Sequence, residues 1–492
     1  MAKVIMIQGT MSNVGKSLLT AALCRIFRQD GYACAPFKAQ NMALNSFITK
    51  DGLELGRAQA MQAQAAGIEP SALMNPILLK PTTDVGSQVI VNGKVRGNFR
   101  AAEYFKYKKE LIPDILAAYH TLAKEHDIIV IEGAGSPVEL NLKTDDIVNM
   151  GMAKLVNAPV LLAGDIDRGG IFPQLLGTLS LLEPEELQRV KGLIVNKFRG
   201  DRALFQSGVD LLEAKGKKPV VGIVPYVDCD IDDEDSLSDK LQKNGGTAIL
   251  DIAVIRLPRI SNFTDFDSFS QYPDVSVRYV TKPEQLGLPD LILLPGTKST
   301  ISDLQWLRNT GLETVIQHCV AMGTPLFGIC GGYQMLGQSV SDPFGVEGGG
   351  TVEGMGLLPC RTVFAKEKYR SQTTGQFTAV PGIFSALSQI AFSGYEIHMG
   401  QTESDSAPLL SCGGAAQNNV YGCYLHGIFD SHKVTDAILQ ALYRRRGLSR
   451  TASGMDRTAY QETQFDLLAQ QVRQNLDMKQ IYEILRHSGQ RI

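Results

Sequence analysis

No run in the 492 residues approaches 18 consecutive apolar positions, so the sequence offers nothing of the length and hydrophobicity needed to span a bilayer. Positive charge is not in excess. Lys and Arg number 48 against 51 Asp and Glu, a net charge of −3, whereas a nucleic-acid binder ordinarily shows a basic surplus or stripe. The eight cysteines, at 24, 34, 229, 319, 330, 360, 412 and 423, include no CxxC pair, and a chain this long needs no disulfide staples. A reducing cytoplasm is the simplest expectation, with most thiols acting as small buried hydrophobes. Internal repeats and low-complexity segments are absent. The first residues, Met1 to Ile7, hold four apolar residues in a row, too few for a signal-peptide core, and read as a first β-strand.

What is present fits a globular chain: 44% apolar and 20% charged residues, enough for two large domains or three smaller ones. The first 230 residues alternate short apolar runs (4–8, 127–131, 158–163, 192–195, 220–224) with helical stretches (17–29, 102–124). Such alternation predicts a parallel sheet covered on both faces, with ligands at the carboxyl ends of its strands. Residues 228–239 then hold seven acidic residues and no basic one, and 231–250 reads as an acidic, solvated linker. The strand pattern restarts at 252–257, 275–280, 291–294 and 325–329, predicting a second α/β domain over 251–445. A tail, 446–492, carries apolar residues at 465, 468, 472, 476, 481 and 485, near helical spacing. The expected fold class is therefore α/β, with two doubly wound domains.

Gly9-Thr10-Met11-Ser12-Asn13-Val14-Gly15-Lys16-Ser17 lies between the first strand and a helix. It departs from the Walker pattern by one position at the first Gly, which Thr10 replaces, but keeps Gly-Lys-Ser. Backbone N–H groups at a helix N-terminus suit phosphates; Lys16 supplies charge to the β/γ-phosphates and Ser17 a hydroxyl to Mg²⁺. ATP-binding candidates are Thr10, Asn13, Gly15, Lys16, Ser17 and Asn196, the last in Ile194-Val195-Asn196-Lys197 at a later strand end. Carboxylates at strand ends near such a loop are candidate Mg²⁺ ligands, here Glu132 and Asp165 with Ser17, and more weakly Asp167; the plainer role for each is a cap or turn.

In the second domain, Gly328-Ile329-Cys330-Gly331-Gly332 ends a buried strand where a helix starts. A nucleophile elbow has this pattern: a strained turn lifts the thiol, and the helix N-terminus favours the thiolate. The nucleophile needs a base. His426, in Tyr424-Leu425-His426-Gly427 on a short apolar strand, is the candidate, although a lone His there is ordinarily a core residue. An oxyanion hole needs two N–H donors, and Gly331 and Gly296 are expected to supply them.

The displaced first Gly resembles the dethiobiotin-synthetase-like branch of P-loop proteins, whose members often activate a carboxylate as an acyl phosphate. That resemblance implies adenine reading by Asn196. The Cys–His pair resembles class I glutamine amidotransferases, which usually place a Glu two residues after the His. Here that position is Ile428, a departure shared with the cobyrinate-amidating subfamily. Residues 36–46 (PFKAQNMALNS), 132–137 (EGAGSP), 196–201 (NKFRGD), 234–237 (EDSL) and 395–400 (YEIHMG) also resemble that family, over residues 3 to 440.

The resemblance implies ATP- and glutamine-dependent amidation of the b, d, e and g carboxylates of adenosylcobyrinic acid a,c-diamide, giving adenosylcobyric acid in cobalamin biosynthesis. ATP and Mg²⁺ are the implied cofactors, and glutamine and a corrinoid acid the small-molecule partners. No nucleic-acid or membrane partner is expected. His398 is left open between a structural and a substrate-facing role. Two alternatives stand beside this reading. One is amidation of the a and c carboxylates only. The other is a P-loop switch ATPase with an inactive amidotransferase domain. Such switches often end in a basic membrane helix, whereas 462–486 holds four acidic and three basic residues.

Overall fold

The protein is described by a computed structural model covering residues 2–83, 86–231, 248–450, 453–454 and 456–488. Most of the acidic stretch, including 234–237, lies outside the described residues. Two compact units emerge. The first comprises residues up to 43, 53 to the start of the acidic stretch, and 461 onward; the second comprises 44–52 and the chain from the acidic stretch to 460.

The first unit is built on six parallel strands: β1 (Lys3–Gly9), β2 (Cys34–Phe37), β3 (Ile128–Glu132), β4 (Val160–Asp165), β5 (Val190–Phe198) and β6 (Val220–Pro225), in the order β6-β5-β4-β1-β3-β2. β1 is buried throughout after Lys3, as a strand sandwiched between helical layers requires. Because β1 lies between β3 and β4, its carboxyl end faces the ends of both neighbours. Helix α1 (Lys16–Gln29) follows β1 directly and packs Leu19, Leu23, Ile26 and Phe27 into one core. The helical stretch expected over 102–124 is broken into Ala101–Tyr107, a 3₁₀ turn at Lys108–Leu111, and Ile112–Glu125, where Pro113 opens the last piece. Beside the main sheet lies a four-stranded sheet of Gln40–Met42, Ile77–Thr83, Gly86–Val91 and Lys94–Arg100. The C-terminal helices end at Asn475 and Arg486; Phe465, Leu468, Val472, Ile481 and Leu485 join the α1 core.

The second unit has a sheet of β7 (Leu250–Ile255), β8 (Val275–Val280), β9 (Leu291–Leu294), β10 (Leu326–Ile329), β13 (Ala415–Gln417) and β14 (Val420–Cys423), ordered β8-β7-β9-β10-β14-β13. Only β13 runs antiparallel. Beside it two long strands, β11 (Cys360–Gln376) and β12 (Ala391–Ser404), pair antiparallel. An aromatic core of Phe266, Phe269, Phe327, Phe384, Tyr421 and Phe429 fills one face, with Phe429 ringed by Phe269 and Phe327 at 5.2 Å. Among the described residues no helix is long and apolar enough to cross a membrane. All eight cysteines are free thiols.

Candidate active site

The loop after β1 is shaped by two left-handed residues, Asn13 (φ 60°) and Gly15 (φ 96°). Gly15 has no room for a side chain, since a Cβ there would sit 2.3 Å from Asn196 Nδ2. That amide donates to the Val14 carbonyl at 2.7 Å, so Asn196, at the end of β5, braces the loop. Lys197 Nζ donates to the Asn13 carbonyl and pairs with Asp165 at 3.0 Å. Lys16 Nζ donates to the carbonyls of Met11 (2.9 Å) and Gly135 (3.3 Å), which curls the lysine back over its own loop. Thr10 Oγ1 donates to Gln174.

Ser17 and Glu132 come together: Ser17 Oγ donates to Glu132 Oε1 at 2.9 Å. Glu132 is fully buried and also accepts from Lys38 Nζ (2.9 Å) and Gln62 Nε2 (2.5 Å). A buried carboxylate requires such partners, and Lys38 balances its charge. Asp165 is also buried, but its oxygens are held by Lys197 and by the Asp167 backbone N–H (2.9 Å), a turn interaction. Asp167 pairs with Arg199 at 2.7 Å.

In the second unit Cys330 caps helix α2 (Gly331–Leu336) with φ 52° and ψ −109°, a conformation that costs a non-glycine residue free energy. Close packing forces the turn. A Cβ on Gly332 would come 2.1 Å from the Leu294 carbonyl, and one on Gly331 2.7 Å from Thr297. The thiol is buried to 7% exposure, 3.6 Å from the Ile397 carbonyl, and acts electrostatically on His426. His426 lies three residues beyond β14 rather than on a strand, paired by its backbone to Tyr395 of β12 (2.8 and 3.1 Å). The Tyr395 ring stacks on the imidazole at 5.3 Å. Gly296 lies against the ring, its Cβ position 3.1 Å from His426 Cε1.

The third group at this site is Asp265. Its Oδ2 lies 2.7 Å from His426 Nδ1, and its Oδ1 accepts the Gly427 N–H at 3.0 Å. Burial works against a charged imidazole here, but the Asp265 carboxylate and the Cys330 thiol outweigh it and raise the His426 pKa to about 10. Asp265 is carried by a 3₁₀ segment, Phe263–Gln271, whose Phe263, Phe266 and Phe269 recur every three residues, the period of that helix, and all sink into the core. His398 is engaged locally: its ring touches the Gly400 carbonyl (2.7 Å) and Glu396 (3.3 Å) and stacks on Tyr424 at 3.7 Å.

Residues 5–237 match the CobQ/CobB/MinD/ParA nucleotide binding domain, and residues 251–434 the CobB/CobQ-like glutamine amidotransferase domain. Over the whole chain, the cobyric acid synthase of Lachnoclostridium phytofermentans is 56% identical, with 99% of each chain covered. That of Ruminiclostridium cellulolyticum is 54% identical, covering 99% of this chain and 97% of its own, and that of Photorhabdus laumondii 50%, covering 98% of each. The chain belongs to the cobyric acid synthase family.

For this member of the cobyric acid synthase family, sequence patterns pointed to Cys330 and His426 but not to Asp265, Lys38 or Gln62. Asp265 sits 161 positions from His426. Its only signal was an acidic residue inside the aromatic period Phe263-x-x-Phe266-x-x-Phe269, where burial demands a partner. Lys38 lies within residues 36–46, a stretch whose sequence marks no role for it.

Proposed function

We propose that this chain uses ATP and glutamine to convert the b, d, e and g carboxylates of adenosylcobyrinic acid a,c-diamide to carboxamides, giving adenosylcobyric acid. The observation that carries the reading is end-to-end identity of 47–56% with cobyric acid synthases, in a chain that joins a phosphate loop to a Cys–His–Asp array. A P-loop switch with an inert second domain has no use for a strained cysteine beside a paired histidine.

In the glutaminase unit, the Cys330 thiolate attacks the glutamine carboxamide carbon. The resulting oxyanion takes N–H donation from Gly331 and Gly296. His426, oriented and held protonated by Asp265, passes its proton to the departing nitrogen, and ammonia leaves with the thioester formed. Water then attacks the thioester, His426 takes its proton, and glutamate departs with the thiolate restored. In the first unit, Thr10, Asn13, Gly15, Lys16, Ser17 and Asn196 bind ATP. A corrinoid carboxylate oxygen attacks the γ-phosphorus and ADP leaves. Ammonia attacks the acyl carbon, and phosphate leaves as the nitrogen loses a proton.

Mg²⁺ supplies charge neutralisation on the phosphates when bound. Ser17 and Glu132 offer a contiguous pair of hard oxygen donors, once Glu132 gives up its ion pair with Lys38. Asp165, the third donor proposed, is ion-paired with Lys197 and has to release it. A cytoplasmic setting is proposed from the free thiols and the nature of the substrates. The test is to supply corrinoid a,c-diamide, ATP, Mg²⁺ and glutamine and to follow product mass. Four successive losses of about one mass unit, each an OH replaced by NH₂, support the reading; no change, or no more than two, sinks it.

A further inference from the structure

A cavity of 430 Å³ lies in the first unit between the four-stranded side sheet, the helix Ala101–Tyr107 with its 3₁₀ extension, and the loop after β3. This volume is within the range of small-molecule pockets. Its walls are mostly apolar, contributed by Met42, Leu79, Phe99, Phe105, Leu142 and Ile147. Three of these stay unusually open for apolar side chains: Met42 is 62% exposed, Leu142 41% and Phe105 36%. Contiguous exposed apolar surface of this kind marks a place that something covers. One cation sits among them: Lys108 is 7% exposed, its ammonium 4.3 Å from the centre of the Phe105 ring. Lys143 also lines the cavity, but it is committed to Glu186 at 2.8 Å.

The cavity is tied to the phosphate loop. Gly135 lines it, and the same residue's carbonyl accepts a hydrogen bond from Lys16 at 3.3 Å. A molecule in the cavity therefore extends towards the group that serves the γ-phosphate. We propose that this cavity is the acceptor site, seating one edge of the corrin macrocycle against Phe105 and Met42, with Lys108 holding a peripheral carboxylate or amide oxygen. The proposal rests on the function given above and adds the place where its substrate binds.

The composition of the pocket suits that substrate for a physical reason. Four carboxylates at different points of the ring must each be presented to one phosphate loop, so the ring has to be held in several orientations. A wall rich in directional hydrogen bonds accepts a single pose. A predominantly apolar wall, even one that also carries Lys108, Glu139, Asp146 and Asn149, accepts several, because methyl-rich edges present similar surface whichever side chain points at the loop. A whole macrocycle exceeds the cavity, and the exposed residues at its mouth carry the remainder.

The experiment measures equilibrium binding of cobyrinic acid a,c-diamide to the full-length protein by its visible absorbance after ultrafiltration. It compares wild type with Phe105→Ser, Lys108→Met and, as a control on an exposed leucine outside the cavity, Leu204→Ser. Thermal melts of each protein verify folding. Phe105→Ser and Lys108→Met should each weaken binding about tenfold, the effect of losing one packed anchor; Leu204→Ser should leave it unchanged. Wild-type affinity in both folded cavity variants, from a protein that still binds and amidates the diamide, overturns the site while leaving the function standing. A wild type that neither binds nor amidates the diamide overturns the function itself.

Discussion

His426 Nδ1 and Asp265 Oδ2 lie 2.7 Å apart, both fully or nearly fully buried, although 161 residues of chain separate them. The pairing fills the place left empty by Ile428, where class I amidotransferases usually carry a Glu. Ile428 is itself wholly buried in the aromatic core. Replacing Asp265 by Asn should cut glutamine-dependent synthesis by about 10²- to 10⁴-fold, as loss of the orienting acid does in comparable triads. Amidation driven by high ammonium should continue. Near-normal glutaminase in folded Asp265→Asn would remove Asp265 from the mechanism. Ile428→Glu should not restore a triad; it places an unpaired charge in an apolar core and should lower the melting temperature.

The His426 pKa, raised to about 10, has a consequence for stability. A group whose pKa is higher folded than unfolded contributes stability in full below its unfolded value of about 6.5 and loses it as pH rises through the folded value. Denaturant unfolding of wild type and Asp265→Asn, measured from about pH 6 to about pH 10, should show the difference between them narrowing with rising pH. A difference that widened over that range would contradict the pairing.

Cys330 holds φ 52° without being glycine. Both Cys330→Ala and Cys330→Gly should lose glutamine-dependent synthesis by about 10³-fold or more while retaining ammonium-dependent synthesis. They should differ in stability. Glycine relieves the backbone strain and alanine keeps it, so Cys330→Gly should be more stable than Cys330→Ala by about 1 kcal/mol. Chemical denaturation of the two variants decides the point, and equal midpoints would show the turn to be unstrained.

Lys16 curls onto Met11 and Gly135, the carbonyls of the loop and of the strand end beside it. In Lys16→Ala, glutamine- and ammonium-driven amidation should fall together by about 10²- to 10³-fold, because phosphorylation of the carboxylate precedes both. Basal glutamine hydrolysis at Cys330 should persist. Unchanged ammonium-driven synthesis would mean that the loop serves something other than carboxylate activation.

What the sequence determined by itself was everything encoded within a few neighbouring residues. The alternation of apolar runs and helical stretches marked the parallel strands of both main sheets, because a strand buried on two faces must be continuously apolar. Gly15-Lys16-Ser17 and Gly328-x-Cys330-Gly331-Gly332 were legible for a related reason: a loop that approaches a phosphate, or a turn pressed against Leu294, admits no side chain, and that leaves glycines at set positions. Tertiary structure alone decided the pairings across distance. Asp265 reaches His426 only because Phe266 and Phe269 sink its 3₁₀ segment into the aromatic core while Phe263 is buried in a neighbouring cluster. Glu132 finds Ser17, Lys38 and Gln62 only where β3 lies beside β1. The helices after 461 close over α1 because their apolar stripe and that of α1 each lack cover until they meet. Burial creates these partnerships: a charge or an apolar face out of water must be matched, and the matching residue is chosen by proximity in the folded chain, which local sequence does not record.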